Sequence, residues 1–209
     1  MGRRPAGPAT GRAARPADGR SARVRIVGGR HRGRSLAAPG GRDTRPTTDR
    51  TRQAIFNILS HADWAPEFEG AAVVDAFCGT GALGLEALSR GASWCGFLDM
   101  GRPALDAVRA NVEALREAEN AQILRADATK PPPASRACAL AFLDPPYGQG
   151  LAPRALEGLL RTGWLADGAL AVVEVADRDP LPLPDGFTAV DERRYGDTRV
   201  VFVTVRNPA

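Results

Sequence analysis

The sequence has almost no lysine, only three cysteines and no long apolar run. The cysteines lie far apart and form no Cys-x-x-Cys pair, so we expect free, buried thiols. Neither of the two histidines lies near a cysteine pair, so no metal site is predicted. No apolar stretch reaches the roughly 18 residues of a membrane span, and no signal-peptide core follows the arginine-rich N-terminus. We therefore expect a cytoplasmic, monomeric protein that does not contact a membrane.

Charge is distributed unevenly along the chain. Residues 1–60 contain fourteen arginines, no lysine, no glutamate and three aspartates, which gives a net charge of +11. Residues 61–209 contain fourteen basic residues against twenty-one acidic ones, which gives −7. A genomic preference for arginine explains the missing lysines, but it does not explain the missing acids. The basic N-terminal third is therefore predicted to contact a polyanion such as nucleic acid.

Three regions are predicted from the residue patterns. Residues 1–22 are mostly Gly, Ala, Pro and Arg, which predicts a disordered basic tail. Residues 23–69 are predicted to form a short β-hairpin, with strands at Val24–Gly29 and Arg34–Ala38, and then an amphipathic helix. That helix is capped by one of residues 47–49 and extends to about Ala62.

From residue 70 to 209, short apolar strands alternate with helices, which predicts a doubly wound α/β domain with a mostly parallel sheet. The C-terminal pattern is different. Thr188–Tyr195 and Arg199–Arg206 are joined by Gly196 and Asp197, a combination typical of an antiparallel hairpin. A mostly parallel sheet of seven strands that ends in such a hairpin is the usual arrangement of the Rossmann-like methyltransferase fold.

A glycine-rich segment follows the first strand of this domain and enters a helix. Gly79 and Gly81 allow a tight turn and close approach of a ligand, and Gly84 allows close packing of the helix. The Gly-x-Gly-x-x-Gly spacing also occurs at dinucleotide sites, so the glycines alone do not identify the ligand. Asp99, which ends the second predicted strand, Trp94–Asp99, would bind ribose hydroxyls with either ligand.

Asp75, four residues before Gly79, distinguishes the two ligands. A dinucleotide would place its anionic pyrophosphate over this turn and would gain nothing from a carboxylate. S-adenosylmethionine has no phosphate, and its ammonium group could pair with Asp75. The alternative is a buried aspartate that caps the loop amides. Asp127, which ends the third predicted strand, Gln122–Asp127, could accept from the adenine amino group or could equally cap the following loop.

The sequence Asp-Pro-Pro-Tyr (Asp144, Pro145, Pro146 and Tyr147) ends the fourth strand, which should neighbour the first. Asp144 and the Pro145 carbonyl could accept both hydrogens of an exocyclic base amine and direct its lone pair towards a sulfonium methyl group. The prolines fix the backbone, and Tyr147 could stack on the base. The alternative, a rigid turn with a core tyrosine, does not account for the glycine motif upstream.

Over about residues 23–206 the chain resembles the RsmD-type 16S rRNA (guanine-N2)-methyltransferases. The family-specific part is an opening block, Val24 to Arg34 and then Arg45 to Leu59, which generic methyltransferases lack. The resemblance implies transfer of a methyl group from S-adenosylmethionine to guanine 966 of 16S rRNA, within the small ribosomal subunit or an assembly intermediate. One departure is Asp99, where family members often have glutamate; the other is the tail.

The resemblance also implies roles for individual residues. Asp144–Tyr147 would be catalytic. The contacts with the cofactor would be Asp75, Phe77, Cys78, Gly79, Gly81, Asp99 and Asp127. The contacts with RNA would be Arg30, Arg32, Arg34, Arg45, Arg50 and Arg52.

Three alternatives remain open. Asp-Pro-Pro-Tyr also serves methyltransferases that act on adenine-N6 of DNA or on other RNA guanines, and only the opening block argues against them. A nicotinamide oxidoreductase would use the same glycine turn, but it would leave Asp75 and Asp-Pro-Pro-Tyr unexplained. A non-catalytic RNA-binding assembly factor would keep its role after Asp144 is replaced.

Overall fold

The computed structural model describes residues 24–38 and 49–206. The predicted tail at residues 1–22 lies outside these ranges, as do Arg45 and two of the three candidate helix caps. Helix α1 comprises Asp49–Leu59, so it ends three residues before the predicted end at Ala62.

The described part of the chain forms one seven-stranded sheet with the order β3-β2-β1-β4-β5-β7-β6. The strands are β1 Ala72–Ala76, β2 Trp94–Asp99, β3 Ala121–Arg125, β4 Cys138–Leu143, β5 Leu165–Ala176, β6 Phe187–Tyr195 and β7 Thr198–Val205. Strands β1 to β5 pair in parallel, whereas β7 runs antiparallel to both β5 and β6. The predicted mostly parallel sheet with an antiparallel C-terminal hairpin is confirmed.

Helices cover both faces of the sheet. They are α2 Ala82–Ser89, α3 Arg102–Leu115 and α4 Leu151–Arg161, besides α1 and a 3-10 turn at Ala118–Asn120. Successive residues of a strand point to opposite faces, and Val73 and Val74 of β1 accordingly enter different cores. One core is formed with α1, α2 and α3, and the other with α4. The carboxyl ends of the strands therefore form a crevice flanked by helices on both sides.

Residues 24–38, which we call the N-terminal hairpin, pair less regularly than predicted. A single bridge joins Arg25 to Ser35, supported by backbone hydrogen bonds on either side. The turn does not extend the strands but bonds to the end of α2. The Arg30 amide donates to the Ser89 carbonyl, and the His31 amide donates to Ser89 Oγ. Gly29 lies against this carbonyl with a φ of +70°, and a side chain there would collide with it.

None of the helices in the described ranges is long and apolar enough to cross a bilayer. Across the same residues, His, Cys, Asp and Glu side chains form no group of three that could hold a metal ion. Cys78, Cys95 and Cys138 are free and buried, as expected. Burial raises the pKa of the Cys138 thiol to about 12, so this thiol stays protonated and unreactive at neutral pH.

Candidate active site

Residues 77–84, which we call the glycine loop, comprise the turn between β1 and α2 and the first three residues of α2, at the carboxyl edge of the sheet. Phe77 has a φ of 79°, which is costly for a residue with a Cβ, and Gly79 and Gly81 also have positive φ. The amides of Phe77 and Cys78 donate to the Leu98 carbonyl at 3.0 and 2.9 Å, which fixes the turn to the end of β2. Apart from Gly79 and its two chain neighbours, no atom of the described residues lies within 4 Å of the position where a Cβ of Gly79 would be, so the loop leaves open space for a ligand.

Asp75 lies under this loop with 2% of its surface exposed. Its Oδ2 accepts the Gly84 amide at 2.9 Å, while Oδ1 accepts no hydrogen bond from the described residues. Burial is the main reason that the pKa of Asp75 rises to about 8, and the nearby charges of Asp144 and Asp99 raise it further. The ends of β1, β2 and β4 thus bring three carboxyl groups together, an environment that favours a cationic ligand.

Asp99 connects the glycine loop to the start of α3. Its Oδ2 accepts the Gly79 amide at 3.0 Å, and its Oδ1 accepts the Gly101 amide at 2.7 Å. Asp127 lies two residues beyond the end of β3, which is shorter than predicted. Asp127 Oδ1 accepts both the amide and the hydroxyl of Thr129, and these hydrogen bonds lower its pKa. Both aspartates therefore order loops and still have lone pairs for a ligand.

The Asp-Pro-Pro-Tyr segment follows β4, which pairs with β1 as expected. Pro145 is buried, whereas Pro146 and Tyr147 are exposed. The Tyr147 hydroxyl lies 3.0 Å from Thr198 Oγ1, and the next amide, that of Gly148, donates to Asp179 Oδ2 at 2.6 Å. No local sequence pattern predicts these two contacts, because their partners lie at the start of β7 and in the loop after β5.

The predicted basic turn is attached to the C-terminal end of α3. Arg30 forms an ion pair with Glu117 through Nη2 at 2.6 Å, and His31 Nε2 lies 2.5 Å from the same carboxylate. The Arg34 side chain donates to the Ala114 carbonyl at 2.9 Å, whereas the Arg32 side chain is exposed and bonds to none of the described residues. The turn is thus a fixed basic surface, with Arg32 its least constrained cation.

Arg50 is exposed, but Arg52 is fully buried. Arg52 donates to the Asp49 carboxylate at 2.7 Å and to the Arg25 carbonyl at 2.5 Å, so it joins α1 to the N-terminal hairpin. The expectation that Arg52 faces RNA does not fit this position. Its spacing was the overlooked signal, since Arg52 precedes Ile55 by three residues and so lies on the apolar stripe of α1.

A protein-family model described as conserved hypothetical protein 95 matches residues 24–204. The chain is 39% identical to ribosomal RNA small subunit methyltransferase D of Escherichia coli, over 78% of this chain and 79% of that protein. It is 33% identical to the protein of the same name from Haemophilus influenzae, over 83% of this chain and 89% of that protein.

Solved structures show the same relationship. The structure of yhhF from Escherichia coli superposes with a TM-score of 0.75 at 32% identity, covering 88% of this chain and 98% of that chain. A SAM-dependent methyltransferase from Aquifex aeolicus superposes with a TM-score of 0.55 at 14% identity, covering 74% and 89%, which shows a shared fold. From the extent of the family match, the chain belongs to the conserved hypothetical protein 95 family, the RsmD family, and it is a methyltransferase.

Proposed function

We propose that the protein transfers a methyl group from S-adenosylmethionine to the exocyclic N2 of a guanine in 16S rRNA. The target implied by the family resemblance is guanine 966, in the small ribosomal subunit or an assembly intermediate in the cytoplasm. One observation carries the proposal. Asp-Pro-Pro-Tyr lies beside Asp75 and the glycine loop, in a chain 39% identical to a protein named ribosomal RNA small subunit methyltransferase D.

The residues of the crevice fit S-adenosylmethionine better than a dinucleotide. The glycine loop contains no basic residue, and Asp75 already occupies the Gly84 amide, which a pyrophosphate would need. Asp75 Oδ1 is available to the ammonium group, and Asp99 and Asp127 have lone pairs for the ribose and the adenine. Phe77, Cys78, Gly79 and Gly81 would form the wall beside the methionine part.

When bound, S-adenosylmethionine supplies a methyl group on a positively charged sulfur. Asp144 and the Pro145 carbonyl accept the two hydrogens of the guanine amine, which favours a tetrahedral nitrogen with its lone pair directed at that methyl group. Pro146 keeps the backbone from turning away, and Tyr147 stacks on the base. The new nitrogen–carbon bond would replace the carbon–sulfur bond, and Asp144 would receive the proton that the nitrogen then loses.

The RNA would approach along the N-terminal hairpin. Arg30, Arg32 and Arg34 form a basic surface on the end of α3, and Arg50 is exposed at the start of α1. Arg45 belongs to the same proposed contact, but it lies outside the described residues. Arg52 is left out of it, and we assign it the role of positioning α1 against the hairpin. We propose that the protein acts as a monomer.

The test uses small subunits from a strain that lacks this protein. These subunits would be incubated with the purified chain and methyl-labelled S-adenosylmethionine, and the labelled nucleoside would be identified by mass after digestion. We expect N2-methylguanosine at a single site of the small-subunit RNA. Label in N6-methyladenosine, or label only on added DNA, would contradict the substrate. No label despite intact cofactor binding would favour a non-catalytic assembly factor.

A further inference from the structure

A cavity of about 160 Å³ lies directly beside the Asp-Pro-Pro-Tyr segment. It is lined by Pro145–Gly148, Gly150–Pro153, Val175 and Asp179–Pro180. None of the proposed cofactor contacts lines it, so the space is available to the substrate. A cavity of about 150 Å³ accepts one benzene ring, so this one suits a flat base rather than a whole nucleotide.

Asp179 is the one charged side chain among the residues that line this cavity. Its amide donates to the Ala176 carbonyl at 2.9 Å, and its own carbonyl accepts from Arg199 Nη2 at 2.7 Å. Its Oδ2 accepts the Gly148 amide at 2.6 Å, one residue after Tyr147. Backbone and carboxylate are thus fixed from three sides, while Oδ1 accepts no hydrogen bond from the described residues. A carboxylate held in this way has one oxygen free to bind a donor in the cavity.

Guanine and adenine differ in the atom next to their exocyclic amine. In guanine, N1 carries a hydrogen and is a donor beside the N2 amine, whereas in adenine N1 is an acceptor beside the N6 amine. The Asp-Pro-Pro-Tyr segment binds the amine and stacks on the ring, and both bases offer these features, so it accepts either base. A second carboxylate at the same edge would accept from N1–H of guanine and would repel the N1 lone pair of adenine.

We infer that Asp179 determines the choice of base, with its free carboxylate oxygen accepting the N1 hydrogen of guanine while Asp144 and Pro145 hold the N2 amine. This inference rests on the proposed function and adds to it the residue that distinguishes guanine from adenine. Arg199 is a positioning residue, because its half-buried guanidinium holds the Asp179 carbonyl rather than the base.

The experiment compares guanine with 2-aminopurine at the target position of small-subunit RNA, placed by ligation and assembled with small-subunit proteins. The analogue keeps the amine at C2, but its N1 is an acceptor. The wild-type protein should methylate the guanine substrate about 100-fold faster, in kcat/KM, than the analogue. In the Asp179→Asn variant, kcat/KM on guanine should fall about 10- to 100-fold. The ratio of kcat/KM on guanine to that on the analogue should also fall, because the amide group of the asparagine donates to N1 of the analogue.

The variant keeps an oxygen for the Gly148 amide, so loss of the turn does not explain the result. The control is Asp177→Asn, which removes only a surface ion pair with Arg194 and should leave the preference unchanged. Wild-type protein that methylates both substrates equally would overturn the inference without any variant. An unchanged preference in Asp179→Asn would show that Asp179 only caps the turn. A wild-type protein inactive on guanine would instead contradict the proposed function, and the inference with it.

Discussion

Asp75 is in an unfavourable environment until a cation binds beside it. The carboxyl is buried, lies near two further aspartates and has a pKa of about 8. A carboxyl group whose pKa is higher in the folded state than in the unfolded state keeps its proton in the folded protein at pH values where the unfolded chain has released it. The stability of the protein should therefore fall as pH rises from about 4 to about 8.

The Asp75→Asn variant tests whether the buried Asp75 carboxyl causes this loss of stability. Asparagine keeps an acceptor for the Gly84 amide but carries no charge, so the pH-dependent loss should disappear. As pH rises from 5 to 8, we expect the free energy of unfolding of the variant to increase by about 1–3 kcal/mol relative to that of wild type, measured by urea titration. Asp106→Asn, at an exposed position of α3, is the control and should show no such gain. Parallel pH curves for wild type and Asp75→Asn would contradict the assigned environment.

The same carboxyl should couple cofactor binding to proton release. Because an ammonium beside Asp75 favours the ionised form, binding should lower the pKa of Asp75 below its free value of about 8. Affinity for S-adenosylmethionine should then rise from pH 6 to pH 8, with up to about one proton released per molecule bound at pH 7. Calorimetry in buffers of different ionisation enthalpy measures that release. Binding without proton release would mean that Asp75 does not contact the ammonium.

Asp144 should affect the reaction rather than cofactor binding. Its charge faces Asp75, and its proposed work is to accept a hydrogen of the target amine. Replacing it with alanine should lower kcat by about 10²–10³-fold while the affinity for S-adenosylmethionine changes little. Activity is measured on subunits, and binding by calorimetry on the same preparation. If the variant loses cofactor affinity as well, Asp144 belongs to the cofactor site.

At the scale of elements, the N-terminal hairpin provides a test of the RNA surface. The Arg32 side chain is exposed and bonds to no described residue, whereas the Arg30 side chain also holds the turn through Glu117. Arg32→Ala should therefore weaken RNA binding at low salt without lowering stability. The slope of log affinity against log salt should fall by about 1. Arg154→Ala, on α4 rather than on the hairpin, should leave the slope unchanged. An unaltered slope in Arg32→Ala would show that the turn does not contact RNA.

Elements could be predicted from sequence where apolar periodicity alone decides the structure. The strand Trp94–Asp99 has the predicted bounds, since a continuous apolar run can be buried only inside the parallel sheet. The strands of the N-terminal hairpin are shorter than predicted. The reason is that its backbone bonds to Ser89, more than fifty residues away along the chain. Arg52 was placed on the RNA surface from its charge, although its helical spacing puts it in the core. Local sequence patterns therefore do not predict hydrogen bonds to distant residues or the burial of a charged side chain.

At the scale of the whole molecule, the position of the site was predictable because parallel strands bring their carboxyl ends to one edge. Asp75, Asp99 and Asp144 meet there, as the order of the strands requires. The cavity beside Tyr147 was not predictable in the same way. It depends on how the loop after β5 folds back towards Gly148, and that path is fixed by Arg199 and Asp179.

Strand β7 follows the other six described strands along the chain, yet it occupies an inner position of the sheet, between β5 and β6. Until it emerges from the ribosome, β6 has no neighbour to join it to β5. The two residues that open β7, Thr198 and Arg199, also support Tyr147 and Asp179. A nascent or truncated chain that lacks β7 therefore cannot join β6 to the five parallel strands, and it also lacks these two supports. A chain that ends before Thr198 should for this reason be unable to complete the proposed methyltransferase site.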